Sequence, residues 1–111
     1  SGIVVSNHGG RVLDHCPATA EVLPEIVDAV GGKLTIFVDG AIRSGMDIFK
    51  ALARGADAVL IGRPFVTAVY GGGEEGVKLY VQKLKAELAD TMRMCGAHSL
   101  AEIDRSMIYR G

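Results

Sequence analysis

The chain has few of the residues that define specialised classes of small protein. Tryptophan is absent, and only three prolines and two cysteines occur among the 111 residues. Cys16 and Cys95 stand far apart, outside any CxxC pair or metal-ligand spacing, so we expect two reduced thiols and neither a disulfide framework nor a zinc site. With 49% hydrophobic residues and so little proline, the sequence excludes a disordered segment and predicts one globular domain over residues 1–111.

A large excess of charge of one sign is also missing. Twelve Lys and Arg residues face thirteen Asp and Glu residues, which leaves a net charge of -1. This balance provides neither the basic field that nucleic acid requires nor a cationic face for a membrane surface. No apolar run is long enough to cross a bilayer, and the N-terminus lacks a signal-peptide pattern. The sequence thus predicts a cytoplasmic protein with neither nucleic acid nor membrane as a partner.

Glycine is the residue in excess, with fifteen copies where average usage gives about eight. Most follow apolar runs, and the chain reads as one strand–turn–helix unit written three times. The strands are predicted over residues 3–6, 35–38 and 56–61. Helices are predicted over residues 19–30 and from Ser44 to residue 54.

Local signals refine these helices. Pro24 should kink the first helix or move its start toward the proline, and Gly31 with Gly32 should end it. Ser44 and Asp47 have the spacing of a capping box at the start of the second helix.

The last third of the chain is predicted to be helical. A short helical piece near residues 65–70 and a glycine linker over 71–73 precede a long packing helix over 74–94, with Glu87 among the charged residues on its outer face. A second capping box, from Ser99 to Glu102, predicts a short terminal helix.

The third strand is hydrophobic along both faces, which is typical of a parallel sheet covered by helices, so the fold class is α/β. Repeated strand–helix units build either a doubly wound sheet or a (β/α)8 barrel. Each strand here ends in its own polar cluster, which favours the barrel, where every strand end faces one site. Three units cannot close eight strands, so the sequence predicts a partial TIM barrel.

The first polar cluster carries a base and an anion clamp. In Ser6-Asn7-His8-Gly9-Gly10-Arg11 the imidazole takes a proton near neutral pH and the guanidinium grips a carboxylate in bidentate fashion. A lone turn histidine is usually bonded to backbone, and the neighbouring arginine shifts the balance toward function. Asp14 either orients His8, pairs with Arg11 or caps the following turn.

The second and third clusters are Asp39-Gly40-Ala41-Ile42-Arg43 and Gly62-Arg63. Each places exposed backbone N–H groups and a guanidinium before a helix N-terminus, which is a favourable arrangement for an anion. For a single cluster, the better interpretation would be that the glycines permit a tight turn and the arginine pairs with a neighbouring Asp or Glu. Two such clusters in successive units favour a phosphate site, which in barrels commonly lies in the loops after the last two strands.

The clusters and their flanking residues, Ser6 to Arg11 with Leu13-Asp14, Phe37 to Arg43 and Gly55 to Pro64, resemble the C-terminal part of the FMN-dependent 2-hydroxy acid oxidases and dehydrogenases. This is the group of glycolate oxidase, lactate oxidase and flavocytochrome b2. The resemblance covers essentially the whole chain and implies the last three strand–helix units of a barrel plus its C-terminal helices. It also implies the active-site base at His8, the substrate carboxylate at Arg11 and a flavin contact at Ser6. The residues that it places around the ribityl phosphate of FMN are Asp39, Gly40, Ala41, Arg43, Gly62 and Arg63.

The resemblance implies oxidation of a small L-2-hydroxy acid, of the lactate or glycolate type, by a complete parent enzyme. The family's flavin-side lysine and active-site tyrosines lie upstream of the matched stretches, so we expect a fragment that is inactive alone. Ala41 stands where the family usually has a second glycine, which predicts phosphate crowding or a turn with negative φ, and weaker flavin affinity.

Two alternatives remain. In the first, the chain is a non-catalytic piece of a barrel that self-associates into a homo-oligomer through the open edges of its first and third strands. Otherwise it belongs to another FMN barrel, such as the type 2 isopentenyl diphosphate isomerase, which the stretch from Ser6 to Arg11 argues against.

Overall fold

Three short parallel strands form the sheet of the structure, a computed structural model that describes residues 1–10 and 15–108. Strand β1 is Gly2–Val5, β2 is Thr35–Val38 and β3 is Ala58–Val59, and they lie in the order β1-β2-β3. Val5 pairs with Val38, so the first two strands end at the same level. The loops that follow the strands therefore leave from one edge of the sheet.

Strand β3 is shorter than the predicted span of residues 56–61. The Asp57 N–H donates to the Ile36 carbonyl at 2.8 Å, and the Leu60 N–H donates to the Val38 carbonyl at 2.9 Å. The bond from Leu60 is the last one to β2 among the described residues, and Leu60 is 43% exposed. Within the described residues β2 is the one neighbour of β3 in the sheet, so no second strand extends the pairing of β3.

Two helices cover one face of the sheet. Helix α1 is Thr19–Val30 and helix α2 is Gly45–Ala53, close to the predicted spans. Between them and the strands lies a core of small and branched apolar side chains, namely Val5, Leu23, Ile36, Val38, Ala51 and Ala56. Helix α1 ends as predicted, because the Gly31 N–H donates to the Val27 carbonyl and Gly32 has a φ of +82°.

Pro24 lies inside α1, and the start of the helix has not moved toward it. A proline inside a helix leaves the carbonyl four residues earlier without its usual donor, here that of Ala20. The Arg54 guanidinium, which follows α2, donates to this Ala20 carbonyl at 2.7 Å. A side chain thirty-four residues away in sequence thus replaces the missing helical hydrogen bond.

Helix α3 spans Arg63–Cys95, and its backbone leaves helical geometry at Gly73, with φ 57° and ψ -137°. The predicted break at residues 71–73 is therefore confirmed and confined to one residue. We call residues 63–72 the first arm of α3 and residues 74–95 the second arm.

The two arms fold back on each other. In a straight helix the rise of about 1.5 Å per residue would separate Phe65 and Tyr80 by about 22 Å, yet their ring centroids lie 5.0 Å apart. A Cβ on Gly76 would lie 2.3 Å from the Ala68 carbonyl oxygen. The close approach of the arms therefore requires glycine at this position.

A second core joins α2 to the second arm and the C-terminal segment. Its buried members are Phe49, Ala53, Ala97 and Ile103. The prediction for Glu87 was wrong, because its Oε1 accepts a hydrogen bond from the Gly45 N–H at 3.0 Å instead of facing water. The first N–H groups of a helix lack helical partners, and this carboxylate satisfies one of them.

The chain ends in short turns. Leu100–Glu102 and Arg105–Met107 form 3₁₀ helices. The short helix predicted after Ser99 is present, but the capping box predicted with it was wrong, because Ser99 makes no side-chain cap and Glu102 accepts from the His98 N–H instead of the Ser99 N–H. No helix in residues 1–10 and 15–108 combines the length and apolar composition that a membrane crossing requires.

Candidate active site

The loops after the three strands converge on a cavity of about 390 Å³. Residues from all three loops and from the start of α1 line it: Asn7, His8, Gly9, Ala18, Thr19, Asp39, Gly40, Ala41, Ile42, Arg43, Leu60, Ile61, Gly62, Arg63 and Pro64. This lining includes the predicted site residues His8, Asp39, Gly40, Ala41, Arg43, Gly62 and Arg63. Ser6 lies outside it, and Arg11 and Asp14 fall outside the described residues.

His8 stands in a tight turn that its neighbours hold. The Ser6 hydroxyl accepts a hydrogen bond from the His8 N–H at 3.0 Å, and the Asn7 side-chain oxygen accepts one from the Gly9 N–H at 3.0 Å. His8 has a φ of +53° and Gly9 a φ of +65°. Histidine, asparagine and aspartate enter this left-handed region more often than other residues. Ser6 thus acts on the cavity through the turn, and Asn7 is a member that sequence reasoning missed.

Asp39 brings an unused acceptor to the cavity. Its Oδ1 atom is buried, and no hydrogen-bond donor reaches it from the described part of the chain. Its backbone carbonyl accepts a hydrogen bond from the Thr19 hydroxyl at 2.5 Å, which fixes the loop to the start of α1. Buried polar atoms are normally hydrogen-bonded, so the Oδ1 atom is suited to a ligand hydroxyl. Thr19, a buried polar side chain, carried no sequence signal.

The backbone after Asp39 has N–H groups that are free to bind a ligand. Gly40 has a φ of +103°, and a Cβ there would lie 2.9 Å from the Thr19 hydroxyl oxygen, so glycine is required. Within residues 1–10 and 15–108, the N–H groups of Gly40, Ala41 and Ile42 donate no hydrogen bond. Free amides just before a helix N-terminus form a favourable environment for an anion.

The backbone of Ala41 differs from the prediction. Phosphate crowding or a turn with negative φ was expected, and the second expectation was wrong, because the φ of Ala41 is +58°. The left-handed conformation brings Cβ close to the following carbonyl oxygen and costs an L-residue about 1–2 kcal/mol. The turn is kept because the flanking Asp39 and Asp47 contacts hold the loop.

Replacing Ala41 with glycine should therefore stabilise the fold by up to about 1 kcal/mol. The relief of strain exceeds the added freedom of glycine in the unfolded chain, which costs about 0.4–1 kcal/mol. Urea unfolding measures the change. Ala20→Gly, at an exposed position in the first turn of α1, is the matched control and should destabilise. Equal losses in both variants would contradict the strain at Ala41.

The backbone of Arg43 is held by hydrogen bonds to both its N–H and its carbonyl group. Its N–H donates to Asp47 Oδ2 at 3.1 Å, and its carbonyl accepts from the Tyr80 hydroxyl at 2.8 Å. The predicted capping box is formed in a shifted version, because Ser44 accepts from the Asp47 N–H at 3.2 Å while Asp47 bonds Arg43 and not Ser44. Burial and then the nearby Glu87 carboxylate raise the pKa of Tyr80, which keeps its hydroxyl a donor.

Arg63 reaches the cavity from the loop after β3, next to the loop after β2 that carries Arg43. It is the first residue of α3, directly after Gly62. A Cβ built on Gly9 would lie 2.6 Å from Arg63 Nη2, so this guanidinium lies against the His8 turn. Both arginines line the cavity and bring fixed positive charge to it, and Asp39 and the residues with free amides line it as well. This set fits a phosphate joined to a hydroxylated chain.

The comparisons with known proteins agree on one family. Residues 1–110 match the family described as FMN-dependent dehydrogenase. The chain is 50% identical over 108 residues to glycolate oxidase of Spinacia oleracea, covering 97% of this chain and 29% of that protein. It is 48% identical over 110 residues to 2-hydroxyacid oxidase 1 of Homo sapiens, covering 99% of this chain and 30% of that protein.

Solved structures give the same result at the level of the fold. A flavocytochrome b2 mutant superposes with a TM-score of 0.91 at 43% identity, covering 96% of this chain and 29% of that one. Mandelate oxidase with benzoyl-formic acid superposes with a TM-score of 0.91 at 48% identity, covering 94% and 31%. The chain thus spans about 30% of the length of the curated relatives that it matches. It belongs to the FMN-dependent dehydrogenase family of 2-hydroxy acid oxidases, and its three strand–helix units form part of the family's barrel.

Proposed function

We propose that this chain supplies the proton-accepting base and the FMN phosphate site of an enzyme that oxidises a small L-2-hydroxy acid to the 2-oxo acid. The observation that carries the proposal is the shared cavity: His8, Arg43 and Arg63 come from three separate loops and line the same space. A base beside a phosphate site is the arrangement needed when a flavin lies across the strand ends.

The residues present fit FMN. Two guanidinium groups and the free amides of the loop after β2 match a phosphate dianion. The buried Asp39 Oδ1 atom, which lacks a donor within the described residues, matches a hydroxyl of the ribityl chain. FMN, when bound, accepts the two electrons that no amino acid side chain accepts.

His8 is proposed to take a proton through a ring nitrogen. Oxidation of a 2-hydroxy acid to a 2-oxo acid removes two protons and two electrons, and the exposed imidazole at the cavity is the group proposed to accept one of these protons. The turn formed by Ser6 and Asn7 fixes the backbone that carries the imidazole. A proton from the hydroxyl and a proton from the α-carbon are both compatible with this role.

Arg11 is proposed, from the resemblance alone, to hold the substrate carboxylate, so that the α-carbon is oriented for reaction. Substrates of the lactate or glycolate type fit this pairing of one base with one anion clamp. Ala41 in the phosphate loop is proposed to lower flavin affinity. Assembly into a homo-oligomer through the open edges of β1 and β3, and a cytoplasmic location, stay predictions.

The proposal is tested by titrating the 111-residue chain with FMN and with riboflavin, which lacks the phosphate. We expect FMN to bind at least about tenfold more tightly, because charge-assisted hydrogen bonds contribute about 1.5–3 kcal/mol each. Flavin fluorescence reports both titrations, and added inorganic phosphate should displace FMN. Equal affinity for the two flavins would refute the phosphate site.

A further inference from the structure

Tyr80 contacts the loop that carries Arg43 and the first turn of α3, close in sequence to Arg63. Its hydroxyl donates to the Arg43 carbonyl at 2.8 Å. Its ring packs edge-on against Phe65, with the centroids 5.0 Å apart and the planes at 65°. Phe65 lies two residues after Arg63 in the first arm of α3. One side chain of the second arm therefore connects the loop that carries Arg43 with the helix start that carries Arg63.

The docking of the second arm on α2 sets the position of Tyr80. Glu87 Oε1 accepts from the Gly45 N–H at 3.0 Å, and a Cβ on Gly45 would lie 2.3 Å from the Leu88 nitrogen. The helix backbone thus lies directly against the start of α2. Tyr80 and Leu84 precede Leu88 by eight and four residues, so they share its face of the helix. Leu84 is buried on that face, which holds the arm, and with it Tyr80, in place.

The hydrogen bond from Tyr80 completes the restraint on Arg43. The Arg43 N–H is held by Asp47, in the first turn of α2. Without the Tyr80 hydroxyl the Arg43 carbonyl would have no protein donor among the described residues, and the peptide plane that carries it would be free to rotate. An arginine side chain loses rotamer freedom on binding, and a fixed backbone lowers that cost because fewer orientations remain.

We propose that Tyr80 is a positioning residue of the phosphate site, which fixes the Arg43 loop and the Arg63 helix start relative to each other. This inference rests on the proposed function and extends it to a residue outside the cavity lining. The second arm of α3 thereby influences phosphate affinity, although in this proposal only Arg63, in the first arm, contacts the phosphate.

Tyr80→Phe tests the inference, because it deletes the hydroxyl and keeps the ring against Phe65. We expect FMN affinity of the 111-residue chain to fall about 3–10-fold, the range of one net hydrogen bond, with riboflavin affinity unchanged. Phe65→Leu, which removes the ring contact on the Arg63 side, should lower FMN affinity in the same direction. Tyr70→Phe is the matched control, since Tyr70 lies in the same helix and is 89% exposed.

The outcomes separate the two proposals. If wild-type chain does not prefer FMN to riboflavin, the phosphate site fails and the role of Tyr80 fails with it. If wild type prefers FMN and Tyr80→Phe binds it equally well, only the role of Tyr80 is overturned. A loss of FMN and riboflavin binding by the same factor also overturns it, because general destabilisation does not discriminate the phosphate. The second variant, Phe65→Leu, is an independent test, in which the affinities for FMN and riboflavin are again compared.

Discussion

A chain in which Arg43 and Arg63 are both replaced by glutamine should bind FMN at least about 100-fold more weakly than wild type. Each guanidinium contributes charge-assisted hydrogen bonds of about 1.5–3 kcal/mol to a phosphate, and 1.4 kcal/mol corresponds to a tenfold change in affinity. Glutamine keeps hydrogen-bonding capacity and much of the side-chain length, so the loss reports the charge. Both arginines line the cavity, one from the loop after β2 and one from the loop after β3. Fluorescence titration with FMN measures the effect.

The control for this experiment is Arg93→Gln. Arg93 lies near the end of α3 and pairs with Asp90 at 3.4 Å on the surface, with the side chain 74% exposed. Exposed pairs contribute little to stability, so this variant should bind FMN like wild type. Riboflavin binding should be the same in all three chains. A double variant that retains FMN affinity, or loses riboflavin affinity by the same factor, would contradict the assignment of the two arginines.

The sequence was sufficient for the features that depend on local signals. Apolar runs and glycine stops predicted β1, β2, α1 and α2 to within a residue or two. The convergence of His8, Arg43 and Arg63 was also predictable, because the carboxyl ends of parallel strands share one edge of a sheet.

Features that depend on distant contacts could not be predicted. Periodicity placed Glu87 on an outer face, since nothing in the local pattern shows that the free N–H of Gly45 needs an acceptor there. Tyr80 was missed because its partner Arg43 is thirty-seven residues away. Pro24 was expected to disturb α1, and the donor that compensates for it comes from Arg54, which directly follows α2. These contacts are created by packing and have no signature in a window of sequence.

Ala41 shows a conflict between local preference and tertiary restraint. A negative φ was the natural expectation for alanine, yet the structure holds φ at +58°. The loop is fixed on one side by Thr19 bonding the Asp39 carbonyl and on the other by Asp47 bonding the Arg43 N–H. Strained backbone at such positions is concentrated at ligand sites, which agrees with the proposed contact between this loop and phosphate.

Replacing His8 with asparagine should slow the oxidation of a 2-hydroxy acid by about 10²–10⁴-fold, the usual effect of losing a positioned base. Asparagine is the sharper substitution than alanine because His8 has a φ of +53°, and asparagine tolerates the left-handed region that the turn requires. The turn bonds made by Ser6 and Asn7 therefore persist. The loss then reports the imidazole and not the backbone.

The measurement requires a complete barrel, which is obtained by exchanging this chain for the matching segment of glycolate oxidase of Spinacia oleracea, 50% identical over 108 residues. Anaerobic reduction of bound FMN by glycolate gives the rate of the chemical step without interference from oxygen. His98→Asn is the matched control, since His98 is exposed and lies outside the cavity lining. The active exchange enzyme sets the reference, and FMN content should be equal in all variants. If His8→Asn reduces FMN within tenfold of that reference, the base lies elsewhere in the barrel, because the loss of a proton acceptor in contact with the substrate cannot be so small.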